Sequence, residues 1–139
     1  MREHGRTGLF AVLHAAGTLE ARVEARLAEV GLSLPKLAAL HHLTHAGDSL
    51  PLGQLAERLA CVKSNVTQLV DRLEADGLVA RTADPSDRRS RLAVITEAGK
   101  SAYARGTTIQ QQSEREIFSS LSREESASLH SLLAKIDHA

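Results

Sequence analysis

Apolar residues recur along the chain mainly at steps of three and four, which is the spacing of helices that bury one face. The first such segment covers residues 8–30 and stops before Gly31, a residue that commonly ends helices. Its apolar positions are Leu9, Val12, Leu13, Ala16, Leu19, Val23, Leu27 and Val30. This narrow seam fits either a helix that packs on the core or one that also packs against a second subunit, and its length favours the second interpretation.

Three further helical segments follow closely. Ser33 can cap the second helix, and Pro35 lies in its first turn. Residues 50–51 are too short for more than a strand stub. We predict a third helix over residues 52–60 and a fourth over residues 63–75, and two short helices joined by about three residues form a helix-turn-helix.

A β-hairpin with a basic tip is predicted directly after the helix-turn-helix. Residues 78–82 are typical of a strand, residues 84–87 (Asp-Pro-Ser-Asp) of a turn, and residues 91–95 of a returning strand. A hairpin in this position is a wing. Thr96 is then expected to cap a fifth helix that runs to about Ser119.

The last predicted helix begins at an S-x-x-E capping box formed by Ser122 and Glu125. The predicted fold class is therefore mainly α with a small β-hairpin wing. A winged helix-turn-helix core lies between N-terminal and C-terminal helices.

Composition and charge change this picture little. The length of 139 residues indicates one domain, and an aromatic content of 2% requires a core of Leu, Val and Ala. Seventeen basic and seventeen acidic residues balance, which argues mildly against a nucleic-acid-binding protein. Residues 58–91 nevertheless contain seven cations and five anions. Local charge of this kind matters more for phosphate contact than the total does.

The remaining compositional signals exclude several classes of protein. A single cysteine excludes an internal disulfide framework and a Cys-rich zinc site. No apolar run approaches the ~20 residues of a membrane span, and the N-terminal MREHGRTG lacks the apolar core of a signal peptide. We therefore expect a cytoplasmic protein that needs no cofactor and has no membrane partner.

The exposed face of the fourth helix carries short polar groups that suit the edges of DNA bases. The candidate DNA-binding residues of this segment are Lys63, Ser64, Asn65, Thr67, Gln68 and Arg72. Asn and Gln can make paired hydrogen bonds to adenine, whereas Arg72 suits a phosphate. An ordinary solvated face explains the same pattern equally well. Asp71 favours that alternative, because its carboxylate would repel phosphate unless a neighbouring Arg neutralised it.

The arginines of the wing are the stronger signal for DNA. Arg88, Arg89 and Arg91 cluster at a hairpin tip, and an Arg on a narrow projection can enter the minor groove. We expect Asp87 to support the wing by holding the Arg89 guanidinium in a paired hydrogen bond. The alternative interpretation is a charged turn that only contacts solvent.

Residues 50–99 resemble the winged helix-turn-helix core of the MarR family of regulators. The resemblance rests on LAERL before the turn, LVDRLEADGLV after it, and the wing signature DRRSRLAVITEAG. One departure is Val62, which stands where similar proteins often have Ser or Thr as a helix cap. Ser64 and Asn65 are the alternative caps, and the start of the fourth helix is left open.

The resemblance implies a homodimer that straddles palindromic double-stranded DNA. Residues 8–30 and 97–139 would form the dimerisation helices, and residues 33–96 the DNA-binding lobe with its wing at about 78–96. Ser64, Asn65, Thr67 and Gln68 would then enter the major groove, with Arg72 near the backbone. Arg89, assisted by Arg88, would enter the minor groove.

Many members of this family respond to small molecules, oxidants or metals. His14, His41 and His45 are the candidates to border an effector pocket, and the sequence does not name the effector. Cys61 is the candidate for a redox response, although a buried structural thiol is the commoner role for such a residue. His41 and His45 lie four residues apart but lack further ligands, so we predict no metal site.

We predict a DNA-binding transcriptional regulator, with repression as the expected mode. An enzyme is not expected, because no phosphate-binding loop, paired-carboxylate motif or nucleophile signature is present. The alternatives are a winged-helix module that binds protein instead of DNA, and a regulator that responds to oxidation of Cys61. The wing arginines favour DNA over a protein partner.

Overall fold

A computed structural model describes residues 4–59 and 65–138, and the side chains from residue 8 onward. The elements in chain order are α1 (His4–Ala28), α2 (Leu34–His45), β1 (Ser49–Pro51), α3 (Leu52–Arg58), α4 (Val66–Ala75), β2 (Val79–Asp84), β3 (Asp87–Ile95), α5 (Glu97–Ile117) and α6 (Arg123–Asp137). The mainly α fold with a small wing is confirmed. The first helix begins four residues before the predicted position, at His4.

The three strands form one antiparallel sheet in the order β1-β3-β2. The predicted strand stub is a paired edge strand, in which Leu50 lies opposite Ala93. β3 begins at Asp87, four residues before the predicted start. The turn is tightened by the Asp84 carboxylate, which accepts hydrogen bonds from the backbone N–H and the hydroxyl of Ser86 at 2.9 and 2.8 Å. A two-residue turn of this kind lets the two strands pair close to the tip of the hairpin.

The core lies where α2 meets α3, α4, the sheet and the C-terminal half of α1. It consists almost entirely of aliphatic side chains, as the composition requires. Its largest fully buried members are Leu27, Leu40, Leu43, Leu55, Leu59, Leu73, Val70 and Val79. Burying a side chain of this size contributes about 1.5–3 kcal/mol, so this cluster holds the helix-turn-helix and the sheet together.

Side-chain caps mark the helix starts that the sequence predicted. Ser33 accepts a hydrogen bond from Lys36 N at 3.3 Å, and Thr96 accepts one from Gly99 N at 3.0 Å. The Ser122–Glu125 capping box is present in both directions. The boundaries of α2, α5 and α6 therefore follow from local hydrogen bonding.

The N-terminal turns of α5 pack directly on the base of the wing. Thr96 N donates to the Leu78 carbonyl at 3.0 Å, and the Thr96 hydroxyl donates to the Gly77 carbonyl at 2.7 Å. A Cβ atom on Gly99 would lie 2.1 Å from the Leu78 carbonyl oxygen. The helix can approach this closely only because residue 99 has no side chain.

Large apolar side chains remain exposed at both ends of the chain. On α1 the C-terminal part packs on the core through Val23 and Leu27, whereas the N-terminal part leaves Leu13 57% exposed. The exposed large apolar residues are Leu9, Phe10, Val12, Leu13, Phe118, Leu129, Leu132, Leu133 and Ile136. Within Arg123–Asp137, all of which the structure describes, no side chain is buried. None of the helices in the described ranges is both long and apolar enough to cross a membrane.

Candidate nucleic-acid interface

The second helix of the helix-turn-helix, α4, begins at Val66 with Asn65 as its N-cap. Asn65 has an extended backbone, and its Oδ1 atom accepts a hydrogen bond from Gln68 N at 3.2 Å. The predicted start at residue 63 was therefore wrong by three residues, and Asn65 as the alternative cap is confirmed. Lys63, Ser64, Cys61 and Val62 lie outside the described residues.

The polar face of α4 points outward as the apolar spacing predicted. Leu69, Val70 and Leu73 are buried, whereas Thr67, Gln68, Asp71 and Arg72 are exposed, and so is the cap residue Asn65. The exposed groups in the first turn are an amide and a hydroxyl, which can both donate and accept hydrogen bonds. Two carboxylates, of Asp71 and Glu74, also lie on the exposed surface of this helix.

Two wing arginines lie in an irregular segment at the tip of the hairpin. Ala83 pairs with Arg91, but the next residue, Asp84, pairs with Asp87. Residues 88–90 of β3 therefore have no paired residue on β2. Both Arg88 and Arg89 lie in this unpaired segment, and both are exposed. An irregularity of this type redirects side chains away from the regular strand, and here it presents guanidinium groups to solvent.

Asp87 supports the wing differently from the prediction. Its Oδ1 atom accepts a hydrogen bond from the backbone N–H of Arg89 at 2.9 Å. The predicted pairing with the Arg89 guanidinium was wrong, because a short carboxylate side chain reaches the backbone two residues ahead more readily. Asp87 thus fixes the backbone of the segment and leaves the Arg89 side chain exposed.

Arg81 is a contact residue of this region that the sequence analysis did not single out. Its guanidinium pairs with Asp71 through Nη2 and with Glu74 through Nη1, the latter at 3.7 Å. Nη2 also lies 3.4 Å from the Thr67 carbonyl, and the side chain is only 22% exposed. The sequence did indicate that Asp71 needs a neighbouring Arg to neutralise it. It did not indicate which Arg, because spacing alone does not show that the sheet brings residue 81 to α4.

Arg91 lies on the same side of the sheet as Arg81. Both side chains border a groove of about 470 Å³ between the sheet and the helix-turn-helix. The other described residues that line this groove are Leu52, Gly53, Ala56, Val66 and Thr67. Arg91 is therefore placed beside the first turn of α4, close to the exposed polar groups of that helix.

The three histidines predicted to border an effector pocket do not all come together. His41 lines a cavity of about 390 Å³ between α1, α2 and α5. The centres of the His41 and His45 rings are 4.1 Å apart. His14 instead borders a separate surface groove along α1. In the described ranges no three His, Cys, Asp or Glu side chains are placed to hold a metal ion.

His41 is tied to the fifth helix through a residue that the sequence analysis missed. Its Nδ1 atom lies 2.9 Å from the Tyr103 hydroxyl. Burial, together with the positive charges that His45 and His42 can carry, lowers the pKa of His41 below its usual value. The remaining chemistry of the cavity comes from Gln110, Glu114 and the buried Ser113.

Comparison with known proteins identifies the family. The MarR-family model matches residues 30–90. The HTH-type transcriptional regulator YkoM of Bacillus subtilis (strain 168) is 35% identical over 107 residues, which cover 77% of this chain and 69% of YkoM. The chain belongs to the MarR family of transcriptional regulators.

Other members of the family extend the comparison. The HTH-type transcriptional regulator MhqR of Bacillus subtilis (strain 168) is 41% identical over 69 residues, or 50% of this chain, and the chain matches about half of that protein (47%). The transcriptional repressor CouR, solved on a 23-mer DNA duplex, superposes with a TM-score of 0.84 at 27% identity over 97% of this chain and 95% of CouR. These relatives are transcriptional regulators and not enzymes, in agreement with the sequence analysis.

Proposed function

We propose that this chain represses transcription by binding palindromic double-stranded DNA as a homodimer. The observation that carries the proposal is the placement of Arg88 and Arg89 on an exposed segment at the tip of the wing, whose backbone is held by Asp87. A groove-binding protein needs cations on a narrow projection, because the minor groove concentrates negative potential. The DNA complex of CouR supports the same assignment by family membership.

Gln68 is the residue of α4 best suited to read a base. Its side chain is exposed, and its amide can donate to and accept from adenine at the same time. The Asn65 oxygen already accepts the Gln68 N–H, which makes a paired contact from Asn65 to a base less favourable. Thr67 can contact a base or sugar, and Arg72 a phosphate. Lys63 and Ser64 remain predicted contacts.

The exposed apolar ends of the chain support the homodimer. Leu9 and Leu13 on α1, together with Leu132 and Ile136 on α6, are all more than half exposed. Single exposed apolar residues are ordinary, but eight large ones on α1 and α6, among the described residues, indicate an interface. In the dimer we expect the two copies of α4 to lie about one DNA turn apart, roughly 34–36 Å, and so to fit a palindrome.

A small-molecule effector fits the cavity between α1, α2 and α5. Its walls are mainly apolar, with His41, Ser113, Gln110 and Glu114 as the polar groups. The cavity lies where the proposed dimerisation helices meet the DNA-binding lobe. A ligand there can change the distance between the two copies of α4, which would lower the affinity for DNA and release repression.

The test measures binding to DNA from upstream of the protein's own coding region at two salt concentrations. Arg89→Ala, which removes the minor-groove contact, is expected to weaken binding by about 1–3 kcal/mol. Gln68→Ala, which removes a major-groove contact, should weaken it by a similar amount. Arg105→Ala removes the same charge from the exposed surface of α5 and serves as the matched control. Binding by the wild type should weaken steeply with salt, because phosphate contacts release counterions.

Two outcomes contradict the proposal. An Arg89→Ala protein that binds like the wild type would remove the wing contact on which the proposal rests. A wild-type protein that binds neither this DNA nor any sequence selected from a random pool, even at low salt, would indicate the protein-binding alternative.

A further inference from the structure

Arg81 joins the wing to the helix that is proposed to enter the major groove. It lies in the middle of β2, where it pairs with Ala93 of β3. Its guanidinium reaches across to α4 and contacts Asp71, Glu74 and the Thr67 carbonyl. One side chain therefore connects the sheet with two successive turns of the helix.

Arg81 differs from the other arginines of the interface in its exposure. Its side chain is 22% exposed, whereas Arg72, Arg88, Arg89 and Arg91 are all exposed. Nη2 donates to Asp71 and to the Thr67 carbonyl, Nη1 lies 3.7 Å from Glu74, and Nε is buried, so little of this guanidinium is accessible to a phosphate. Arg81 is thus placed to act on DNA binding through its partners and not by touching DNA.

The partners of Arg81 are the groups that would otherwise oppose DNA binding. The side chains of Asp71 and Glu74 are 55% and 44% exposed, on the helix that is proposed to face the phosphates. Without Arg81 this helix would carry two uncompensated negative charges toward DNA. Pairing also fixes the direction of both carboxylates, so that they point toward the sheet.

We propose that Arg81 is a positioning residue for DNA binding, which offsets one of the two negative charges of Asp71 and Glu74 and holds the wing against α4. The inference rests on the proposed function, because its effect is exerted on binding to DNA. It predicts that the contribution of Arg81 depends on the two carboxylates being present. A residue that contacts DNA directly would contribute equally whether or not they were present.

The test is a double-mutant cycle measured by DNA affinity. Arg81→Met keeps an apolar stem of similar length but removes the charge. We expect it to weaken binding by about tenfold in the wild-type chain and by less than about threefold in the Asp71→Asn/Glu74→Gln chain. Arg81→Lys keeps the charge but not the paired geometry, and we expect it to recover part of the loss.

The salt dependence of binding separates the two roles of an arginine. Arg81→Met should leave the slope of log affinity against log salt unchanged, whereas loss of a phosphate contact lowers it by about one unit. An equal loss of affinity in both backgrounds, or a reduced slope, would overturn the inference.

A second readout does not depend on DNA. The four proteins of the cycle are the wild type, Arg81→Met, Asp71→Asn/Glu74→Gln and the chain with all three changes. In urea unfolding, Arg81→Met should lower the midpoint urea concentration of the wild-type chain. It should change this midpoint little in the Asp71→Asn/Glu74→Gln chain. Additive changes in the midpoint would contradict the link between Arg81 and α4. If the wild type fails to bind DNA, the proposed function fails, but this comparison still tests the link.

Discussion

The contact between α5 and the base of the wing leads to a prediction that can be worked out from distances. In the Gly99→Ala protein the new Cβ atom would lie 2.1 Å from the Leu78 carbonyl oxygen and 2.7 Å from Ile95 Cγ1. Ordinary contacts of this type begin at 3.4 Å. The helix and the backbone of Leu78 must therefore separate by more than one ångström, and Leu78 cannot turn aside, because the obstacle is its carbonyl oxygen.

The expected magnitude follows from three terms. Overpacking a tight site costs about 1–3 kcal/mol, and the upper end applies where backbone must move. Moving Leu78 also strains its hydrogen bond with Thr96 N, which is worth about 1 kcal/mol. Replacing a helical glycine recovers about 0.5–1 kcal/mol. We expect a net loss of about 2–3 kcal/mol in the free energy of unfolding.

Equilibrium unfolding in urea measures this loss, with all proteins at one concentration so that subunit association does not differ between them. A loss of this size should lower the midpoint by roughly 1 M. Gly106→Ala is the matched variant on the same helix, because its Cβ would meet only the side-chain ends of Leu37 and Leu32, at 2.6 and 2.8 Å. These methyl groups can rotate away, so we expect a much smaller loss. A Gly99→Ala protein no less stable than Gly106→Ala would refute the reasoning.

Three further predictions concern the interface, the cap of α4 and the histidine pair. Leu13→Glu places a charge on the exposed apolar face of α1 and should convert the proposed dimer to monomer in sedimentation experiments; a variant that still forms a dimer would place the interface elsewhere. Asn65→Ala removes the N-cap and should cost about 1 kcal/mol in urea unfolding, whereas Asn65→Asp should keep the stability but weaken DNA binding through its added charge. Because the pKa of His41 is lowered from 6.5 in the folded protein, the unfolded chain binds more protons just below that pH. Stability should therefore fall as pH falls from 6.5 through the folded pKa, and His41→Gln should flatten this part of the profile of stability against pH.

The fold was predictable from the sequence wherever a boundary depends on a local hydrogen bond. Ser33, Thr96 and the Ser122–Glu125 pair each cap a helix in the structure as the sequence predicted. The start of α4 was missed because Ser64 and Asn65 are both residue types that cap helices, and spacing does not choose between them. The extent of β3 was missed for a similar reason, since the Asp84 turn lets pairing begin at Asp87.

The candidate interface was predictable in its residue types but not in its contacts. The outward direction of Gln68 and Asp71 follows from helix spacing alone. The role of Asp87 depends on whether a backbone or a guanidinium donor lies closer, which spacing does not decide. Tyr103 was missed because it acts on His41, which lies on a helix far away in the chain. Arg81 is close to Asp71 in the chain, but their contact depends on how β2 is oriented against α4, which spacing does not give.

The contacts around the wing limit how an effector could act on DNA binding. The base of the wing is fixed to α5 by the close packing of Gly99 on Leu78, and its middle is fixed to α4 by Arg81. Bending the wing alone would break one of these contacts. A ligand in the cavity beside His41 should therefore move the wing, α4 and α5 together, and the change would occur where α1 and α6 are proposed to meet a second subunit. In the proposed dimer an effector would then change the distance between two intact DNA-binding lobes and leave the arrangement within each lobe unchanged.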